Sequence, residues 1–136
     1  VVTPSTHDMA TVREWWEEDR NLIQQFYNNQ LGHYGEAPVF AEDWICRDIV
    51  IQHLQSPAMW AIFLLQDLLA MDGSLRKENP SSERINNPAD PSSERINNPA
   101  DPNHYWNYRM HNNLEELNDQ PGFILLLNNM VKESGR

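Results

Sequence analysis

The chain has 136 residues, 40% hydrophobic and 22% charged, enough for one modest domain with a real core and too apolar for a disordered tail. A formal net charge of −10 and a pI near 4.7 argue against nucleic acid or an anionic membrane as partner, because both recruit basic clusters. One cysteine, Cys46, excludes an internal disulfide and fits a reducing, cytoplasmic setting.

No secretory signal is visible. The opening Val1-Val2, with no Met and no charged leader, reads as the start of a piece of something longer. Val1-Val2 also reads as the end of a buried strand, followed by a polar turn, Thr6-His7-Asp8. Thr11 and Glu14 make a Thr-x-x-Glu capping box, so a helix starts there. Val12, Trp15, Trp16, Leu22, Ile23, Phe26 and Tyr27 recur at three- and four-residue spacing, which predicts one amphipathic helix to about Asn29 with Gly32 as its stop. Trp15 and Trp16 then read as core rather than as a stacking platform. A second helix is expected over 40–54, with Trp44, Ile45, Ile49, Val50 and Leu54 buried, ending at Ser56-Pro57. Cys46 falls mid-helix among apolar residues, where cysteine is ordinarily core.

The run Met59 to Leu65 is apolar on both faces, short, and too brief to span a bilayer. It predicts a buried parallel strand with Gln66-Asp67 at its C-terminal end. Two strand ends carrying polar pairs, joined by a helical crossover, make a βαβ unit, and parallel sheets place ligands at that edge. Residues 80–90 and 91–101 are the same eleven residues, Pro-Ser-Ser-Glu-Arg-Ile-Asn-Asn-Pro-Ala-Asp, repeated without a difference. Two short copies rich in proline read as a duplicated loop, not a solenoid. Tyr105, Trp106 and Tyr108 follow with Arg109 and His111, and helices at about 113–118 and 122–133 close the chain.

The five histidines show no metal-ligand spacing, and no phosphate loop, dinucleotide motif or serine nucleophile motif is present, so neither a metal nor a cofactor is expected. His7-Asp8 has two readings: a turn and cap pair, or a site. Thr11 can cap the helix, which releases Asp8 for chemistry. Gln66 and Asp67 either orient a ligand or bond the backbone of a turn.

The segment Thr6-His7-Asp8-Met9-Ala10-Thr11-Val12-Arg13-Glu14-Trp15-Trp16-Glu17-Glu18-Asp19 resembles the His-Asp segment of the 4-α-glucanotransferases (amylomaltases, or disproportionating enzymes). Ser56 to Phe63 and Gln66-Asp67-Leu68-Leu69 resemble that family's last barrel strand and its exit. Glu94-Arg95-Ile96-Asn97, Pro99 to Trp106 and Tyr108-Arg109 resemble the loop after it, and all stand in the family's order. Leu64 replaces a usual Pro, and Asn107 a usual Arg. The resemblance implies an α/β fold, the C-terminal part of a (β/α)8 TIM barrel, predominantly helical as a fragment, with 1–136 one portion of the catalytic domain. It implies retaining transfer of α-1,4-glucan segments between malto-oligosaccharides or glucose, in starch, glycogen or maltose metabolism. Asp8 matches the transition-state stabiliser and His7 its neighbour. Asn97, or its duplicate Asn86, matches a residue that contacts the same sugar, and Gln66 and Asp67 join the substrate-binding set. The nucleophilic Asp and the acid/base Glu are implied to lie upstream of Val1, so this chain alone is expected to be inactive and poorly soluble. The competing expectation is a non-catalytic acidic helical interaction or carbohydrate-binding module built around Tyr105-Trp106.

Overall fold

A computed structural model describes residues 1–76 and 112–136. The duplicated segment at 80–101 with Asn86 and Asn97, and the aromatic group Tyr105, Trp106 and Tyr108 with Arg109 and His111, lie outside the described residues.

Helix α1 spans Val12–Glu18, and its cap is the expected one: the Thr11 side chain accepts from the Glu14 N–H at 3.3 Å. The single long helix expected from 11 to 29 is instead two. Asp19 leaves the helical region at φ −132 and ψ 102, and its carboxylate accepts from the N–H groups of Asn21 and Leu22 at 2.9 and 3.1 Å. A short acidic side chain that satisfies the first N–H groups of a new helix competes well with continuing the old one. Helix α2, Arg20–Asn29, therefore starts in its own register. Ile23 and Tyr27 turn inward, while Leu22, expected inside, is exposed. Gly32 follows at φ 71, the left-handed backbone that ends helices cheaply only as glycine.

Helix α3, Asp43–Leu54, buries Ile45, Cys46, Ile49, Val50 and Leu54, while Trp44, expected on the same face, is only partly buried against the core; the helix ends at Gln55 before Ser56-Pro57. These residues join Val12, Trp16, Ile23 and Tyr27 in one apolar core. Helices α5 (Leu114–Asn118) and α6 (Pro121–Glu133) follow, with Phe123 and Met130 of α6 buried in that core.

The stretch 59–65 departs from expectation. Met59, Trp60 and Ile62 are 82, 62 and 56% exposed, and no strand forms among the described residues. What remains of the predicted pairing is one parallel bridge, Val2 to Ala61. In it the Val2 N–H donates to Trp60 O at 2.8 Å and the Ile62 N–H donates to Val2 O at 2.9 Å. A parallel strand is stable when it is covered on both faces and flanked on its edges, and the described residues supply one neighbour. The chain then turns into helix α4, Leu65–Leu69, so Gln66 and Asp67 sit in a helical first turn rather than beyond a strand tip. The described part is thus helical, as expected of a fragment, with a single trace of parallel pairing.

Past α4, the Ser74 hydroxyl and N–H both donate to Asp72 Oδ1, at 2.6 and 2.9 Å. The Ser74 hydroxyl is the main reason the Asp72 carboxyl titrates below its ordinary value, against a smaller opposing effect of partial burial. A depressed carboxylate stabilises the fold above its unfolded pKa, and that contribution disappears as pH falls through the folded value. Ser74→Ala is expected to move the Asp72 midpoint upward, read by carboxyl-carbon NMR on the full-length protein. An unmoved midpoint would show that the hydroxyl is not the cause.

Candidate active site

The polar turn is built by its own backbone. The Met9 N–H donates to Thr6 O at 3.0 Å, which closes a four-residue turn with His7 and Asp8 as its central pair. The central positions of such a turn point outward, and His7 and Asp8 are about half exposed, at 53 and 54%. His7 Nε2 lies 3.0 Å from Asp8 Oδ2, so the imidazole braces the carboxylate from the side. A carboxylate held this way can accept hydrogen bonds from ligand hydroxyls and place negative charge beside them.

Both ends of this turn are held from below. Ser5 and Thr11 are buried, and so is Val12, the first residue of α1. Asp67 reaches up from α4: its Oδ1 accepts from the Val12 N–H at 2.9 Å, and its Oδ2 accepts from the Ser5 hydroxyl. Of the two roles open to Gln66 and Asp67, Asp67 takes the second and bonds turn backbone. It is 1% exposed and Gln66 is 4% exposed.

Beside the turn opens a cleft of about 440 Å³. Its walls include Pro4, Met9, Trp15 and Phe26, and its polar groups are Asp8, Glu18 and His53. Trp15 and Phe26 meet edge to face, with centroids 5.0 Å apart. Aromatic walls with a few polar groups suit a ligand that has apolar faces and hydroxyl edges, such as a sugar ring. Trp15 therefore borders the cleft while Trp16, its neighbour, is core. His53 gives one ring N–H to the Ile49 carbonyl at 2.7 Å. Among the described residues no group of three or more His, Cys, Asp or Glu is placed to hold a metal ion.

The structure brings together His7, Asp8 and, beneath them, Asp67. Asn86 and Asn97 lie outside the described residues. The sequence reading missed Ser5 as Asp67's partner and Glu18 and His53 as cleft residues. Glu18 has a helical signal, since it follows Trp15 by three residues; Ser5 and His53 have no local one.

With this geometry in place, comparison with known proteins is specific. Residues 1–115 match the 4-alpha-glucanotransferase family, and the chain belongs to that family. It is 38% identical over all 136 residues to 4-alpha-glucanotransferase DPE2 of Oryza sativa subsp. japonica, of which it covers 13%. It is 31% identical over 83 residues, 61% of this chain, to the chloroplastic/amyloplastic 4-alpha-glucanotransferase DPE1 of Arabidopsis thaliana, and those residues cover 13% of that protein. The chain thus spans a small part of the curated relatives it matches. No solved structure matches it.

Proposed function

We propose that this chain is the C-terminal portion of the catalytic (β/α)8 barrel of a retaining 4-α-glucanotransferase, and that it contributes the His7-Asp8 turn to the active site. The observation that carries the reading is the family match over 1–115, which includes an outward-facing His7-Asp8 pair on a closed turn. The parallel bridge between Val2 and Ala61, joined by the helical crossover α1 to α3, supports the barrel, because parallel neighbours need such a crossover.

The substrates are α-1,4-glucans and malto-oligosaccharides, with glucose as a further acceptor, in starch or maltose metabolism. The compartment is cytoplasmic and reducing. In this reading the covalent work belongs to a nucleophilic Asp and an acid/base Glu elsewhere in the full-length enzyme. Asp8 accepts from hydroxyls of the sugar whose ring flattens toward an oxocarbenium ion. As positive charge grows on that ring, a fixed anion beside it gains more than it did in the ground state. His7 keeps the carboxylate aimed. The loop asparagine, Asn97 or Asn86, contacts the same sugar.

The test is product analysis with the full-length protein and maltotriose. The expected result is a ladder of longer and shorter malto-oligosaccharides with glucose, and no net rise in reducing ends, because each transfer breaks one glycosidic bond and makes another. Saturable binding without products would make it a carbohydrate-binding module instead. Reducing ends rising in step with bond cleavage would make it a hydrolase.

A further inference from the structure

Asp67 is a carboxylate at 1% exposure, a position that disfavours charge unless hydrogen bonds compensate it. Its two oxygens serve different stretches of chain, 62 and 55 residues away: the Ser5 hydroxyl donates to Oδ2 and the Val12 N–H donates to Oδ1. Val12 opens α1, and the first N–H groups of a helix have no partner within it. Ser5 and Val12 bracket residues 6–11, with His7 and Asp8 at the tip of that bracket. One side chain therefore fixes both feet of the turn, while the Thr6 to Met9 hydrogen bond closes its top.

The geometry points to Asp67 as the positioning residue of the active-site turn: by holding Ser5 and Val12 at once, it sets where Asp8 presents its carboxylate. This rests on the reading of Asp8 as the group that meets the reacting sugar. Asp67 acts through the backbone of residues 5–12, and loosening either foot lets Asp8 drift by a distance that matters, since a displacement near 1 Å is enough to lose about a hundredfold in rate. An aspartate suits the task because each of its oxygens carries its own acceptor sites on a short, stiff stem. An asparagine keeps most of it: Oδ1 still accepts from the Val12 N–H, and Nδ2 donates to the Ser5 oxygen, whose own proton turns elsewhere.

The test uses the full-length enzyme, disproportionation of maltotriose, and four single variants. Asp67→Ala is expected to lower kcat about tenfold or more, with KM changed much less. Asp67→Asn is expected to recover most of that loss. Ser5→Ala, which frees one foot by removing a single hydroxyl, is expected to lower kcat severalfold and keeps the inference testable should Asp67→Ala fail to fold. The decisive readout is the double variant. Asp67→Ala, or Ser5→Ala in its place, added to Asp8→Asn is expected to cause no further loss, because the carboxylate being positioned is already gone. A merely structural role predicts losses that multiply, and that result overturns the inference. So does wild-type kcat in a folded Asp67→Ala, or in Ser5→Ala, alongside an impaired Asp8→Asn. A fully active Asp8→Asn would instead defeat the reading on which the inference stands.

Discussion

Asp8→Asn in the full-length enzyme is expected to lower kcat by about 10²- to 10³-fold, the size typical of removing one group aimed at transition-state charge. The substitution keeps shape and polarity and removes the negative charge. Asp8 is half exposed on a turn whose closure depends on the Thr6 carbonyl and the Met9 N–H, not on the Asp8 side chain. The fold therefore has little to lose, and the thermal midpoint should stay near wild type. A neutral amide still accepts a hydroxyl hydrogen bond on one oxygen, so ground-state binding survives in part. What it cannot do is strengthen as the ring becomes cationic. The loss should fall on kcat, with KM moving little, measured from initial rates against maltotriose concentration. A rise in KM with kcat intact would mark Asp8 as a uniform binder and remove it from the chemistry.

Trp16→Ala carries the largest expected effect on stability. Trp16 is 1% exposed at the junction of α1 with the rest of the core. Its ring meets Tyr27 and Trp15 edge to face, each at 6.4 Å, and its Nε1–H donates to Pro38 O at 3.0 Å. Truncation removes a large apolar surface and leaves a cavity that its neighbours fill only in part, for a cost of about 3–5 kcal/mol. Trp16→Phe keeps a ring and loses the hydrogen bond. Pro38 O keeps a second donor, Arg20 Nη1 at 2.7 Å, so no buried acceptor is abandoned and the cost should be nearer about 1–2 kcal/mol. Unfolding midpoints of the full-length protein should therefore rank wild type, then Phe, then Ala, with the Phe variant well above Ala. Equal midpoints for all three would mean that α1 is not anchored through Trp16.

How much of this was legible beforehand varied with how local the cause was. The start of α1 depends on Thr11 and Glu14, three residues apart, and was readable. So was the buried face of α3 apart from Trp44, and so was the family, whose segments run in order through the chain. The break at Asp19 was not, because Trp16, Ile23 and Phe26 keep helical spacing across it. Periodicity sees the faces of helices and is blind to a side chain that caps from within the pattern. The run 59–65 predicts a buried strand, since apolar on both sides usually means covered on both sides; here Trp60 and Ile62 face outward and the pairing stops at Val2 and Ala61. Within the candidate site, His7-Asp8 was legible as a polar turn with both a structural and a functional reading, but the hold of Asp67 on Ser5 and Val12 joins positions far apart in sequence, and no window of neighbours contains it.

That distance bears on the order in which the molecule assembles. The turn at residues 6–9 can form and dissolve within microseconds, as short turns do. Its two footholds wait for a contact that closes 62 residues of chain, and such a closure comes only after the intervening helices have shortened the search. The His-Asp tip is thus among the first local shapes to appear and among the last to be fixed. Substitutions at Ser5 or Asp67 should chiefly speed unfolding and leave the folding rate near wild type, since their bonds mature after the barrier. The eleven-residue duplication lies downstream of Asp67, so it lengthens a different closure and leaves this one as long as it was.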